Sequence, residues 1–364
     1  MEKTYMKLAL ELAKIGNGKV NPNPMVGAVI VKDNKVIGKG YHQEYGQNHA
    51  EVNAINSATE DISGSTMYVT LEPCSHYGKT PPCVEKIIES NVSKVVIASL
   101  DPNPLVSGNG VKKLIDAGIE VVTGVLDDEN KKLNEVFMKY IVDKKPFVIM
   151  KVAMSLDGKI ATSSGESKWI SCEESRKEVH KLRNIVMGIL VGVDTVIKDN
   201  PKLTARLENG KNPIRIIVDS NLRIPIDSNV IQNIKEARSI VVTTNKAIKD
   251  KVKTLENKGV EVLIVNEKEG RVDLKDMIDK LGKLNIDSIL LEGGSTLNFS
   301  ALNEKIVDKI QVYIAPKIIG GTDSKTPVGG EGIRHLKDAF KLKDITSKTI
   351  GEDILIEGYI KGDD

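Results

Sequence analysis

The sequence predicts an α/β protein of two domains, and three observations carry that prediction. The chain has 364 residues, roughly twice the length of an ordinary domain. Both halves alternate short apolar, β-branched runs with helical periodicity, the pattern of layered α/β sheets. Between them a helical pattern over 129–142 stops before Pro146, dividing the chain into domains 1–145 and 146–364.

In the first domain, Thr4 to Ile15 reads as an amphipathic helix closed at Gly16. Residues 27–42 read as two strands about an Asp33–Asn34 turn. A helix opens near His49, a strand over 65–74 ends at Cys74, and a further helix opens at Cys83 after a Pro-Pro pair. Strand, helix and strand follow at 94–100, 111–118 and 120–126. The second domain starts with a strand over 147–158. Ser171 and Glu174 have capping-box spacing for a helix reaching Arg183. Strands are then expected at 188–192, 214–220, 239–244, 260–265, 288–294 and 309–319. That quantity of strand predicts a mixed sheet with flanking helices.

Composition narrows the function classes. Hydrophobic residues make up 40% and charged residues 28%, ordinary for a globular protein. Basic and acidic residues nearly cancel, 52 against 50, so no global field favours nucleic acid or an anionic membrane. Three cysteines do not build a disulfide framework and favour a reducing compartment. The first residues lack a signal-peptide pattern, and no apolar run approaches the roughly twenty residues of a spanning helix. The expectation is a cytoplasmic homo-oligomer that acts on a small molecule, with neither nucleic acid nor a membrane as partner.

Two of the cysteines bracket the stretch PCSHYGKTPPC, from Pro73 to Cys83, and His49-Ala50-Glu51 stands upstream. Hydrolytic deamination on zinc needs three protein ligands, an open coordination position and a carboxylate that moves protons without ligating. H-x-E followed by P-C and a second cysteine is the signature of zinc deaminases. His49, Cys74 and Cys83 are therefore the expected Zn²⁺ ligands, and Glu51 the proton shuttle. Eight residues separate the cysteines where two are usual, leaving an overhanging loop whose His76 and Lys79 are placed to touch substrate. The rival readings are two small buried thiols, a redox pair, and a closed zinc module with His76 as fourth ligand. Cys172 has no partner motif and reads as structural.

Other residues admit two readings each. Asn21 and Asn23, in a proline-rich turn, either read a pyrimidine edge or close an Asx-turn. His42 and His76 are substrate contacts or ordinary histidines, and Lys79 is a phosphate contact or a solvated lysine. The second domain lacks G-x-G-x-x-G after an early strand. Its Glu292–Leu297 glycine turn either receives a phosphate on backbone N–H groups or binds nothing. Arg183 and Arg206 suit a phosphate through their paired donors, or pair at the surface. Ser167 and Thr195 offer hydroxyls, Asp199 suits a ribose, and Trp169 lies against a cofactor or in a core.

The segments NPNPMVGAVIV (21–31), HAE (49–51) and EPCSHYGKTPPC (72–83) resemble the deaminase half of the bifunctional riboflavin-biosynthesis deaminase/reductase family. KVAMSLDGKIA (151–161), GESKWIS (165–171), GVDTVIKDNPKLTAR (192–206), DSNLRIP (219–225) and LEGGSTLNFSAL (291–302) resemble its reductase half. The resemblance implies a cytidine-deaminase-like three-layer αβα domain followed by a dihydrofolate-reductase-like α/β domain. It implies deamination of a phosphoribosylamino-diaminopyrimidinone, then NADPH-dependent reduction of the ribosyl group of the resulting uracil to ribityl. Residue by residue, Asn23, His42, His76 and Lys79 would touch the deaminase substrate. Ala153, Trp169, Thr195, Asp199, Ser220 and Gly294, Ser295, Thr296, Leu297, Asn298, Phe299 and Ser300 would contact NADPH. Lys151, Ser167, Arg183, Leu203, Arg206 and Glu292 would contact the phosphorylated reductase substrate. Met187 and Asp194 depart from the pattern, which has an acidic and a small residue there. A nucleoside or tRNA deaminase with an unrelated second domain is the rival, disfavoured by the missing basic stripe.

Overall fold

Successive residues along the buried strands point to opposite faces and set the layers of the first unit. The computed structural model describes residues 1–77, 81–103 and 106–362, in two units, Met1–Lys144 and Lys145–Asp364. Strands β1 (Gly27–Lys32), β2 (Lys35–Tyr41), β3 (Thr66–Leu71), β4 (Lys94–Ser99) and β5 (Glu120–Thr123) form a sheet in the order β2-β1-β3-β4-β5. β1 is antiparallel to both neighbours, whereas β3, β4 and β5 run parallel. Val29, Val31, Tyr68 and Val96 face helix α1 (Glu2–Lys14). Their neighbours Ala28, Ile30, Met67, Val69 and Val95 face α2 (Ala50–Asn56), α3 (Cys83–Glu89) and α4 (Asn109–Asp116). The result is three layers, helix on sheet on helix, from a period of two.

One expected helix is bent. The 129–142 pattern becomes α5 (Asp127–Leu133) and α6 (Glu135–Asp143), hinged at Asn134. The buried Asn134 amide accepts from the Met25 N–H at 2.8 Å and donates to the Met25 carbonyl at 3.0 Å. This tertiary anchor fixes the bend, and periodicity alone does not contain it.

In the second unit, β6 (Phe147–Ser155), α7 (Glu173–Ile185), β7 (Gly188–Gly192), α8 (Val193–Asp199) and β8 (Ile214–Val218) come first. Next are α9 (Asn229–Gln232), β9 (Ser239–Thr243), α10 (Lys249–Asn257), β10 (Glu261–Ile264) and a small hairpin, β11 (Glu267–Lys268) with β12 (Arg271–Val272). The chain ends with α11 (Leu274–Lys283), β13 (Ser288–Leu291), α12 (Ser295–Asn303), β14 (Lys309–Ala315), β15 (Leu342–Ile350) and β16 (Asp353–Ile360). Among the described residues the main sheet has nine strands, ordered β10-β9-β8-β7-β13-β6-β14-β16-β15. It is parallel from β10 to β14, and the last two strands are antiparallel. One core lies between the sheet and α11 and α12; a second lies under α8, α9 and α10. Val179 of α7 packs on Tyr313 and Leu355.

Two local expectations are corrected. The residue capping α7 is Cys172, and its side chain makes no cap hydrogen bond. Cys172 instead donates its N–H to Asp353 at 2.9 Å and its thiol to the Ile350 carbonyl at 3.2 Å. The β15–β16 turn therefore fixes where the helix starts, and the Ser171–Glu174 capping box does not form. The last expected strand stops at Ala315, before Pro316, which has no N–H for a ladder. No helix among the described residues is long and apolar enough to cross a membrane.

Candidate active sites

In the first unit, three element ends converge on one corner. His49 is the residue preceding α2, Cys83 is the first residue of α3, and Cys74 follows β3 through Glu72-Pro73. Gly40 lets α2 approach β2 this closely, because a Cβ there would meet the Ala50 carbonyl at 2.3 Å. His49 Nδ1 lies 3.5 Å from Cys74 Sγ and 3.3 Å from Cys83 Sγ, and all three donor atoms fall within 4.8 Å of one another. A tetrahedral zinc with bonds of about 2.0–2.3 Å places its ligands about 3.5–3.8 Å apart, so this borderline-soft N/S/S set fits that ion. The Cys83 N–H donates to Cys74 Sγ at 3.3 Å. The hydrogen bond between the two thiols lowers the pKa of Cys74 and raises that of Cys83, and a bound zinc would take both as thiolates. Glu51, in the first turn of α2, is only 3% exposed. Burial pushes its carboxyl up to about 7, against the opposing pull of His49.

Beside this corner, His42 has both ring nitrogens engaged by protein. Nδ1 faces the Asn48 carbonyl at 3.1 Å and therefore carries the proton; Nε2 then accepts from the Asn23 amide at 3.2 Å. That assignment turns the Asn23 carbonyl oxygen away from His42. His76 is exposed and stands outside the three-donor group, so it does not close the site as a fourth ligand. Lys79 lies outside the described residues.

In the second unit, one cleft of about 2470 Å³ opens at the carboxyl ends of the parallel strands, where open α/β sheets bind ligands. Lys151 and Ala153 of β6, Thr195 and Asp199 of α8, Ser220 after β8, and Glu292 after β13 all line it. So do Ser167, Trp169, Arg183, Leu203, Arg206 and the run from Gly294 to Ser300. Gly294 caps α12 without a side-chain hydrogen bond, which leaves the first-turn N–H groups for an anion. A Cβ on Gly294 would meet nothing nearer than Thr195 Oγ1 at 3.9 Å, so the turn is open as well as positive. These features fit a dinucleotide pyrophosphate.

The cleft also carries charge. Arg183 donates from Nε and Nη2 to the two Glu292 carboxylate oxygens, each at 2.8 Å, and from Nη1 to the Thr204 carbonyl at 3.1 Å. Burial alone would raise the Glu292 pKa, but the Arg183 charge and hydrogen bonds outweigh it and hold the carboxyl at about 2. Burial lowers the pKa of Lys151. Arg206 is exposed, on a backbone with φ of 54°.

A family model described as the cytidine and deoxycytidylate deaminase zinc-binding region matches residues 1–99, and the RibD C-terminal domain matches residues 146–356. Riboflavin biosynthesis protein RibD of Actinobacillus pleuropneumoniae is 51% identical, covering 97% of this chain and 94% of its own. The protein of the same name from Aquifex aeolicus is 47% identical over 98% of each. A solved Thermotoga maritima structure, titled diaminohydroxyphosphoribosylaminopyrimidine deaminase/5-amino-6-(5-phosphoribosylamino)uracil reductase, is 41% identical with a TM-score of 0.88 over 99% of each chain. The RibD structure of Acinetobacter baumannii aligns with a TM-score of 0.90 at 37% identity, again over 99% of each chain. The chain belongs to the RibD family, the bifunctional deaminase/reductases of riboflavin biosynthesis.

As in the motifs of that RibD reading, the structure gathers His49, Glu51, Cys74 and Cys83 in one corner and the reductase residues around one cleft. Asn298, which lines the cleft, also anchors a loop. Its side chain is buried, with the amide donating to the Pro327 carbonyl at 2.9 Å, so it holds the 316–341 loop against α12. Met187 packs against the core and Asp194 pairs with Arg223 at 2.8 Å. Two residues were not singled out by sequence reasoning. The buried Glu72 carboxylate accepts from four backbone N–H groups, those of Asp101, Gly108, Gly110 and Val111. It ties the start of α4 to the Cys74 strand end, and its place directly before Pro73-Cys74 was the available signal. The other is His180, one helical turn before Arg183 on α7.

Proposed function

We propose that His49, Cys74 and Cys83 hold zinc in the first unit, with Glu51 as its proton carrier, and that NADPH lies along the cleft of the second. The substrate of the first step is the phosphoribosylamino-diaminopyrimidinone that the Thermotoga relative's title names. The single observation that carries this reading is the triangle of one imidazole and two thiols beside a buried carboxyl held at about 7. Zinc in such a set supplies the Lewis acidity that makes water nucleophilic near neutral pH. Glu51, poised between its two protonation states, takes a proton from the attacking water and returns it to the departing amine. Asn23, oriented by His42, presents its carbonyl oxygen to a donor on the pyrimidine edge.

In the second step the cleft would hold NADPH, which would supply hydride for the sugar carbon. The N–H groups of the α12 first turn would hold its pyrophosphate, and Trp169, 60% exposed on the cleft wall, would offer a face for a ring. Glu292 spends its charge on fixing Arg183. Of the cations grouped near that pair, Arg206 and Lys151 are left to hold the substrate phosphate. Mass spectrometry of the pure protein with the diaminopyrimidine phosphate tests both steps. Without NADPH one amine should be exchanged for oxygen; with NADPH two hydrogens should then be gained. No exchange by zinc-loaded protein sinks the first assignment, and exchange without reduction sinks the second.

A further inference from the structure

His180 has no part in the chemistry described so far, yet it stands among four charged groups of the reductase cleft. It lines that cleft from α7, and its Nδ1 is buried without a hydrogen-bond partner. The charged groups facing it are Arg183 of its own helix, Arg206 of the 200–213 loop, Lys151 of β6 and Glu292 after β13. Three cations against one carboxylate leave a net +2 (3 − 1) around a neutral imidazole. Arg183 and Glu292 cancel through their paired hydrogen bonds, so the surplus belongs to Arg206 and Lys151.

We infer that His180 is a proton-linked member of the substrate-phosphate site, neutral in the free enzyme and imidazolium once a phosphate dianion enters the cluster. The inference rests on the phosphate reading of Arg206 and Lys151 and adds a residue and a proton to it. In the free cleft, burial lowers the His180 pKa first, and Arg183, Arg206 and Lys151 lower it further, against Glu292 alone. A bound dianion cancels that surplus (2 − 2 = 0) and sets negative charge beside the ring, which favours its charged form. Binding then takes up a proton, so it tightens as pH falls toward the range where histidine titrates. The protonated ring also gains a donor for a phosphate oxygen, worth more than a neutral contact.

Isothermal titration of the full-length chain with ribose 5-phosphate, in two buffers of different ionisation enthalpy, counts the protons exchanged. Wild type should take up more protons than His180→Gln, and its affinity should gain several-fold more between about pH 8 and about pH 6.5. Taking the difference between the two proteins removes the probe's own ionisation. Equal proton counts in wild type and folded variant overturn the role of His180 and leave the phosphate reading standing. Ribose 5-phosphate binding no tighter than ribose overturns the phosphate reading, and this inference with it. Histidine ring NMR of the wild-type chain, which has five histidines, needs no folded variant. One ring outside the deaminase unit must move toward imidazolium as the probe is added; a spectrum in which none does contradicts the proposal.

Discussion

His49, Cys74 and Cys83 gather their donor atoms within 4.8 Å, with Glu51 buried beside them. The reductase cleft instead spreads about 2470 Å³ across the ends of parallel strands. The two sites differ in what their ligands demand. A zinc ion accepts only a few side-chain atoms at fixed distances, so its site contracts to four residues from two short motifs. A dinucleotide and a sugar phosphate are held largely by backbone N–H groups and scattered cations. Many residue types satisfy that demand, and no single one of them identifies the site.

The largest effect should therefore come from one atom in the compact site. Cys83→Ser removes a thiolate ligand, so zinc content and deamination should both collapse while reduction of already deaminated substrate continues. Wild-type zinc and turnover in this variant would refute the donor set. Glu51→Gln separates chemistry from metal binding. The amide keeps the shape but cannot relay protons, so deamination should fall about 10²–10⁴-fold with zinc retained. Loss of zinc would make Glu51 a ligand.

In the dispersed site the same kind of substitution should cost less. Arg206→Ala should weaken substrate binding by roughly 1–3 kcal/mol, and Arg206→Lys by less, since charge survives while the paired donors are lost. NADPH titrated by quenching of Trp169, the single tryptophan, should bind both variants as it binds wild type. An unchanged substrate KM in Arg206→Ala removes that residue from the site.

The smallest effect concerns stability. The Glu292 carboxyl sits at about 2, below its ordinary 4.5, so its folded-state pKa is depressed. Its stabilisation is then complete above about pH 4.5 and is lost as pH falls toward about 2. Thermal melts across that window should fall more steeply for wild type than for Glu292→Gln. Parallel curves would mean the Arg183–Glu292 pair contributes nothing net.

The same contrast decides what the sequence made legible. The metal corner could be read because His49-Ala50-Glu51 and Pro73-Cys74 fix both chemistry and element ends. Most cleft residues were named by resemblance, since their physics left each with an ordinary alternative. What was missed depends on partners distant in sequence. Asn134 bends its helix through Met25, Cys172 caps α7 through Asp353, and Glu72 collects N–H groups from 101–111. β15 was invisible for another reason: nearly all its residues are exposed, so it carries no alternation to detect.

X-ray absorption at the zinc edge of the loaded full-length protein reads the donor set itself. Two sulfur ligands at about 2.3 Å and one imidazole nitrogen at about 2.0 Å are expected, with a light atom completing the shell. A shell without two sulfurs, or one closed by a second imidazole, would contradict that donor set.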